Sequence, residues 1–83
     1  MQAQSLIQTL KNSCLAHYDE REATQIALLT AAHLVGLGDN TAPLRVDPLR
    51  DWPIEETQLR QAAERLTSGE PMQYVIGRTD FFG

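Results

Sequence analysis

Asp19-Glu20-Arg21-Glu22-Ala23-Thr24-Gln25-Ile26-Ala27-Leu28-Leu29-Thr30-Ala31-Ala32-His33-Leu34-Val35-Gly36 is the stretch on which the fold turns. Asp19 is a short polar residue that can accept from the unpaired N–H groups of a first helical turn, and Glu22 follows where the helix dipole favours a carboxylate. Gly36 and Gly38 supply the stop. Between these signals Ala23, Ile26, Ala27, Leu28, Leu29, Ala31, Ala32, Leu34 and Val35 cover more than one helical face. A helix that is apolar on several sides needs neighbours on several sides. The stretch therefore predicts a central helix running to about Val35, inside a small all-α bundle.

Two more long helices are expected around it. In residues 5–18 Leu6, Ile7, Leu10, Cys14, Leu15 and Tyr18 recur at three- and four-residue intervals, with Gln8, Lys11 and Asn12 between them. Farther on, Leu59, Ala62, Ala63 and Leu66 form an i, i+3, i+4, i+7 stripe, with Arg60, Gln61, Glu64 and Arg65 outside it. Pro53 stands where that helix can begin, with Asp51 as its cap and Glu55 and Glu56 in its first turn, and Ser68-Gly69 closes it. Between Gly38 and Pro53 the prolines leave room for a short helical turn around Leu44 to Leu49.

From Glu70 the character changes. Pro71 opens a short apolar turn through Met72, Tyr74, Val75 and Ile76, Gly77 breaks it, and a strand is expected to begin at Thr79. No other segment has the period-2 alternation that would pair with such a strand, so the chain is expected to continue into a further domain.

The chain has 83 residues and 42% apolar content, enough for one small domain with a thin core. Seven Lys and Arg against eleven Asp and Glu give a net charge of −4, with no basic face, which opposes a nucleic-acid module. A single cysteine excludes an internal disulfide and suits a reducing cytoplasm. Met1-Gln2-Ala3-Gln4 lacks the charge and apolar run of a signal peptide, and no stretch approaches the ~18 apolar residues of a membrane span.

The residues assemble no catalytic, cofactor or metal site. His17 and His33 lie on different helices without companion ligands; His17 reads as a cap on the end of the first helix, and His33 as a side chain in the last turn of the second, where an imidazolium favours the negative dipole end. Cys14 belongs to a buried stripe, where a thiol behaves as a small hydrophobe. Asp19-Glu20 and Glu55-Glu56 stand at helix starts, where capping and the dipole explain them. Gly36-Leu37-Gly38 follows a helix and lacks the rest of a phosphate loop.

The run Arg65-Leu66-Thr67-Ser68-Gly69-Glu70-Pro71-Met72-Gln73-Tyr74-Val75-Ile76-Gly77-Arg78-Thr79-Asp80-Phe81-Phe82-Gly83 resembles the interdomain junction of the HemK/PrmC protein-(glutamine) methyltransferases, which act on peptide-chain release factors. In that family an arginine-bearing helix leads to Gly-Glu-Pro, a Gln-Tyr-Ile-type segment, a glycine and a Glu/Asp-Phe-aromatic-Gly stretch. The alanine- and leucine-rich run from Glu22 to Leu37 is similar to the family's second helix in composition.

The resemblance implies that residues 1–68 are an N-terminal helical substrate-recognition domain. Residues 69–83 are then a linker and the start of a methyltransferase domain, Thr79–Gly83 forming its first strand. Catalysis and S-adenosylmethionine binding fall outside the residues that match. The implied partners are release factors and the chain's own catalytic domain. Glu55, Glu56 and Glu64 are candidate partner-facing residues. Tyr74, Ile76, Arg78, Phe81 and Phe82 are candidates for packing at the domain junction, their apolar surface being large for so small a domain. The alternative reading is a stand-alone helical adaptor that binds a partner helix.

Overall fold

A computed structural model describes residues 1–79. Among them five helices follow one another: α1 (Ala3–Cys14), α2 (Glu20–Leu34), α3 (Ala42–Val46), α4 (Glu56–Thr67) and α5 (Met72–Thr79). Together they form a small all-α bundle, with one isolated bridge between Gln2 and Asp51.

α2 starts and stops as its sequence dictates. The Asp19 carboxylate accepts from the Glu22 N–H at 2.8 Å. At the other end Leu37 N–H donates to the Ala32 carbonyl (2.7 Å) and Gly36 N–H to that of His33 (3.3 Å). This crossed pair satisfies the last carbonyls and requires the positive φ of 87° found at Gly36. Ala23, Ala27, Leu28, Thr30, Ala31 and Ala32 are buried, so the helix has partners on several sides as predicted: α1, α4 and α5 all pack on it. α1 contributes Leu6, Leu10 and Cys14, α4 contributes Leu59, Ala62 and Leu66, and Val75 of α5 and Leu44 of α3 complete the core.

The remaining boundaries shift. α1 begins at Ala3 and ends at Cys14, because the N–H groups of both His17 and Tyr18 turn back onto the Cys14 carbonyl. Leu15 is consequently 45% exposed and leaves the predicted stripe. The short helix lies earlier than Leu44 to Leu49, with Pro43 in its first turn.

α4 begins at Glu56, and Asp51 does not cap it. Residues 48–52 are drawn away to the chain's start. Ala3 N–H donates to the Arg50 carbonyl (3.0 Å), Gln4 N–H to that of Pro48 (2.8 Å), and Trp52 N–H to that of Met1 (2.8 Å). The unpaired donors that open α1 thus receive partners from a remote loop, which no local side chain supplies. Trp52, which no sequence periodicity marked, is buried there with the Arg50 guanidinium 4.3 Å from its ring centroid.

α5 passes through Gly77, where a break was expected. Docking of Val75 into the core and contact with α2 and α4 outweigh the ~1 kcal/mol that a helical glycine costs. Thr79, the expected first strand residue, closes this helix. The rest of the expected strand, with Phe81 and Phe82, lies outside the described residues.

Two substitutions test this account by thermal and urea unfolding. Asp19→Ala should lower stability by about 1 kcal/mol through loss of the cap. Thr30 is 1% exposed and its Oγ1 has no hydrogen-bond partner among the described residues. Thr30→Val, nearly isosteric and similar in helix propensity, should therefore leave stability unchanged or raise it by up to about 1 kcal/mol.

Candidate functional site

The α4–α5 corner is built from Arg65 to Pro71. α4 ends as α2 does: Glu70 N–H donates to the Arg65 carbonyl and Gly69 N–H to that of Leu66, both at 3.1 Å, with Gly69 at φ 91°. The two side chains that this motif places together are usually apolar. Here they are Arg65 and Glu70, joined by two parallel bonds, Nε to Oε2 at 2.6 Å and Nη2 to Oε1 at 2.7 Å. Both side chains are about three-quarters buried (24% and 25% exposed), so this is a planar, bidentate lock and not a loose surface pair. Hydrogen bonding to Glu70 outweighs desolvation and, helped by the Glu70 charge, holds the Arg65 guanidinium still more firmly protonated than usual. Read as a solvent-facing helix position, Arg65 is instead the pin of the corner.

His17 reinforces it from the α1–α2 turn. Its ring Nε2 lies 2.8 Å from the Thr67 carbonyl, so in the Nε2–H form it caps the C-terminus of α4 across 50 residues of sequence. It does not cap α1, the role its position suggested. The imidazole also lies 3.3 Å from where a Cβ on Gly69 would stand. His33 does sit in the last turn of α2, where its Nε2 is 2.8 Å from Asp39 Oδ1 and ties the helix end to the following loop. Cys14 is fully buried, and desolvation pushes its thiol pKa up, which suits core packing and not nucleophilic attack.

The predicted junction residues divide. Tyr74 is 62% exposed, whereas Ile76, two positions on and so nearly opposite on the helix, is half-buried. Arg78 lies within α5. Phe81 and Phe82 are outside the described residues.

Glu55, Glu56 and Glu64 are all exposed. Glu56, Arg60 and Glu64 form one i, i+4, i+8 row, with Arg60 Nη2 3.5 Å from Glu56 Oε1, so a cation sits in the middle of the acidic face. Beside Glu56 a shallow groove of about 300 Å³ runs between α1 and α4, floored by Leu59 and Ala63. Among the described residues no three His, Cys, Asp or Glu side chains are grouped to hold a metal, and no helix is long and apolar enough to cross a membrane. Comparison with protein-family models, with curated proteins and with solved structures gave no match.

Gly69→Ala should cost about 1–2 kcal/mol, since it forces a Cβ into a left-handed backbone against the His17 ring. Glu70→Gln should cost about 1 kcal/mol in urea unfolding, modest because the pair is partly solvated. Cys14 gives a pH signature. Its folded-state pKa is raised, so its contribution is complete below the unfolded thiol's pKa of about 8.5 and is lost as pH rises from there towards the folded value. Stability should fall above that pH, and Cys14→Ala should remove that part of the slope.

Proposed function

We propose that this chain is the N-terminal helical domain of a HemK/PrmC-type methyltransferase, which uses S-adenosylmethionine to methylate the glutamine of the Gly-Gly-Gln loop in peptide-chain release factors. In this reading the helical domain takes part in release-factor recognition and orients the catalytic domain, while methyl transfer and cofactor binding belong to the catalytic domain, in the cytoplasm. The observation that supports it is the Arg65-to-Pro71 run. The residues that carry the resemblance also hold the α4–α5 corner, through the Arg65–Glu70 pair and the positive-φ Gly69. A segment with that structural task suits a junction whose geometry must be kept, since a loosely held recognition domain would misplace the glutamine amide by more than methyl transfer tolerates.

On the recognition side, the exposed Glu55 and Glu64, with Glu56 beside the α1–α4 groove, suit contact with a basic protein surface. Rim charges of this kind act mainly on association rate and salt dependence.

The test is an NMR titration of the ¹⁵N-labelled chain with unmethylated release factor, with S-adenosylmethionine as a control. Saturable shifts along α4 with the factor, and none with the cofactor, are expected. Charge reversal at Glu55 and Glu64 should weaken that binding severalfold, with the larger effect at low salt. No shifts with the factor would remove the recognition role, and shifts with S-adenosylmethionine would show that the cofactor site had been assigned to the wrong domain.

A further inference from the structure

Residues 38–47 join α2 to the anchored stretch 48–52 and take no part in the proposed recognition role. Both ends of this segment are fixed: Leu37 N–H donates to the Ala32 carbonyl at 2.7 Å, and the Pro48 carbonyl accepts from Gln4 N–H at 2.8 Å. Between these points, among the described residues, the backbone bonds only to neighbours in sequence. Asn40 N–H donates to the Leu37 carbonyl, Leu44 and Arg45 N–H both to that of Thr41, Ala42 N–H to Asn40 Oδ1, and Arg50 N–H to the Asp47 carbonyl. Two side chains fasten the segment to the body. Leu44 is 1% exposed and enters the core, and Asp39 Oδ1 lies 2.8 Å from Nε2 of His33 on α2. Thr41 and Pro43 are half-buried, and the other residues of the segment are exposed, Val46 to 81%.

Two clefts border the segment. One, of about 450 Å³, is lined entirely by its own residues, and the other, of about 350 Å³, lies where Leu44 and Arg45 meet Ile7 of α1 and Leu28 of α2. A stretch with a single fully buried side chain, local backbone bonds and empty space alongside belongs to the low-stability end of a fold. We propose that residues 38–47 form a strap that unlatches as one unit while α1, α2, α4 and α5 stay folded, with Leu44 and the His33–Asp39 pair as its two catches. The open form uncovers Ile7 and Leu28 in the seam between α1 and α2 and adds them to the already exposed Val46 and Leu49. The bundle thus carries an apolar face that is hidden in its major state and shown in a minor one.

The test is native-state hydrogen exchange of the ¹⁵N-labelled 83-residue chain across a urea series below its unfolding transition. The Leu44 and Arg45 amides should open at least about tenfold more often than those of Ala27 and Ala31 in α2, with a urea dependence that is measurable but weaker than theirs. Two variants separate the strap from the bundle. Asp19→Ala weakens the α2 cap, which is intact whether the strap is closed or open, so it should raise exchange at Ala27 and Ala31 about fivefold and leave Leu44 and Arg45 nearly unchanged. Asp39→Ala, at a side chain 89% exposed, removes one catch and should raise exchange at Leu44 and Arg45 about two- to tenfold. Equal opening of the strap and α2 amides, or a rise at Leu44 and Arg45 matching that of α2 in Asp19→Ala, would overturn the inference, because the strap would then open only with the whole bundle. It would also be overturned by strap exchange that does not depend on urea, which marks fraying without exposed surface, or by an Asp39→Ala variant that exchanges there as the parent chain does.

Discussion

Ala23, Ala27 and Ala31, at four-residue spacing and all fully buried, form a ridge of small side chains along α2 on which the rest of the bundle depends. α1 makes its most extensive contact with α2, and its Leu6, Leu10 and Cys14 are fully buried in the same core. The alanines contribute little area themselves. Their effect is to let the larger side chains of neighbouring helices approach the α2 backbone, so that a chain too small for a thick core still reaches dense packing. Enlarging any of them would drive the helices apart, whereas the leucines opposite carry most of the burial energy, ~1.5–3 kcal/mol each.

The second constraint is the backbone at the helix ends, and it explains which parts of the fold could be read from the sequence. Where a helix is ended by its own neighbours, the sequence is explicit: Asp19 caps α2, and Gly36 and Gly69 take the positive φ that the C-terminal motifs need. Where the partners are remote, local patterns point elsewhere. The donors at the start of α1 are satisfied by carbonyls of Arg50 and Pro48, and the end of α4 by His17. These long-range bonds moved α1 back to Ala3, pulled Asp51 away from α4 and left Trp52 buried without any periodic neighbour to signal it. Gly77 is the tertiary counterpart, a weak helix former carried in a helix by the docking of Val75.

The candidate site was legible to the same degree. The Gly69-Glu70-Pro71 stop was visible, but Arg65 was assigned to solvent from its place on the helical wheel. The signal that would have found the ion pair is the motif itself, because a C-terminal glycine brings the residue four before it against the residue just after it. Opposite charges at Arg65 and Glu70 therefore meet by local geometry alone. The exposed glutamates were legible as exposed, but the neutralising role of Arg60 follows only from their common row on α4.

These two features together decide how α5 is held. A flexible connection would consist of small polar residues with few contacts, and the segment after it would sample many orientations. Residues 69–76 have the opposite character: a positive-φ glycine against an imidazole, a bidentate ion pair, a proline, and a helix with Val75 seated in the core. Each fixes a different degree of freedom, namely the backbone turn at Gly69, the side chains flanking it, the φ of the residue that precedes α5 and the docked face of α5. Loosening one leaves the others in place, so the direction of α5 should persist through single substitutions that measurably lower overall stability. A connection held in that way keeps α5 in one direction against α2 and α4.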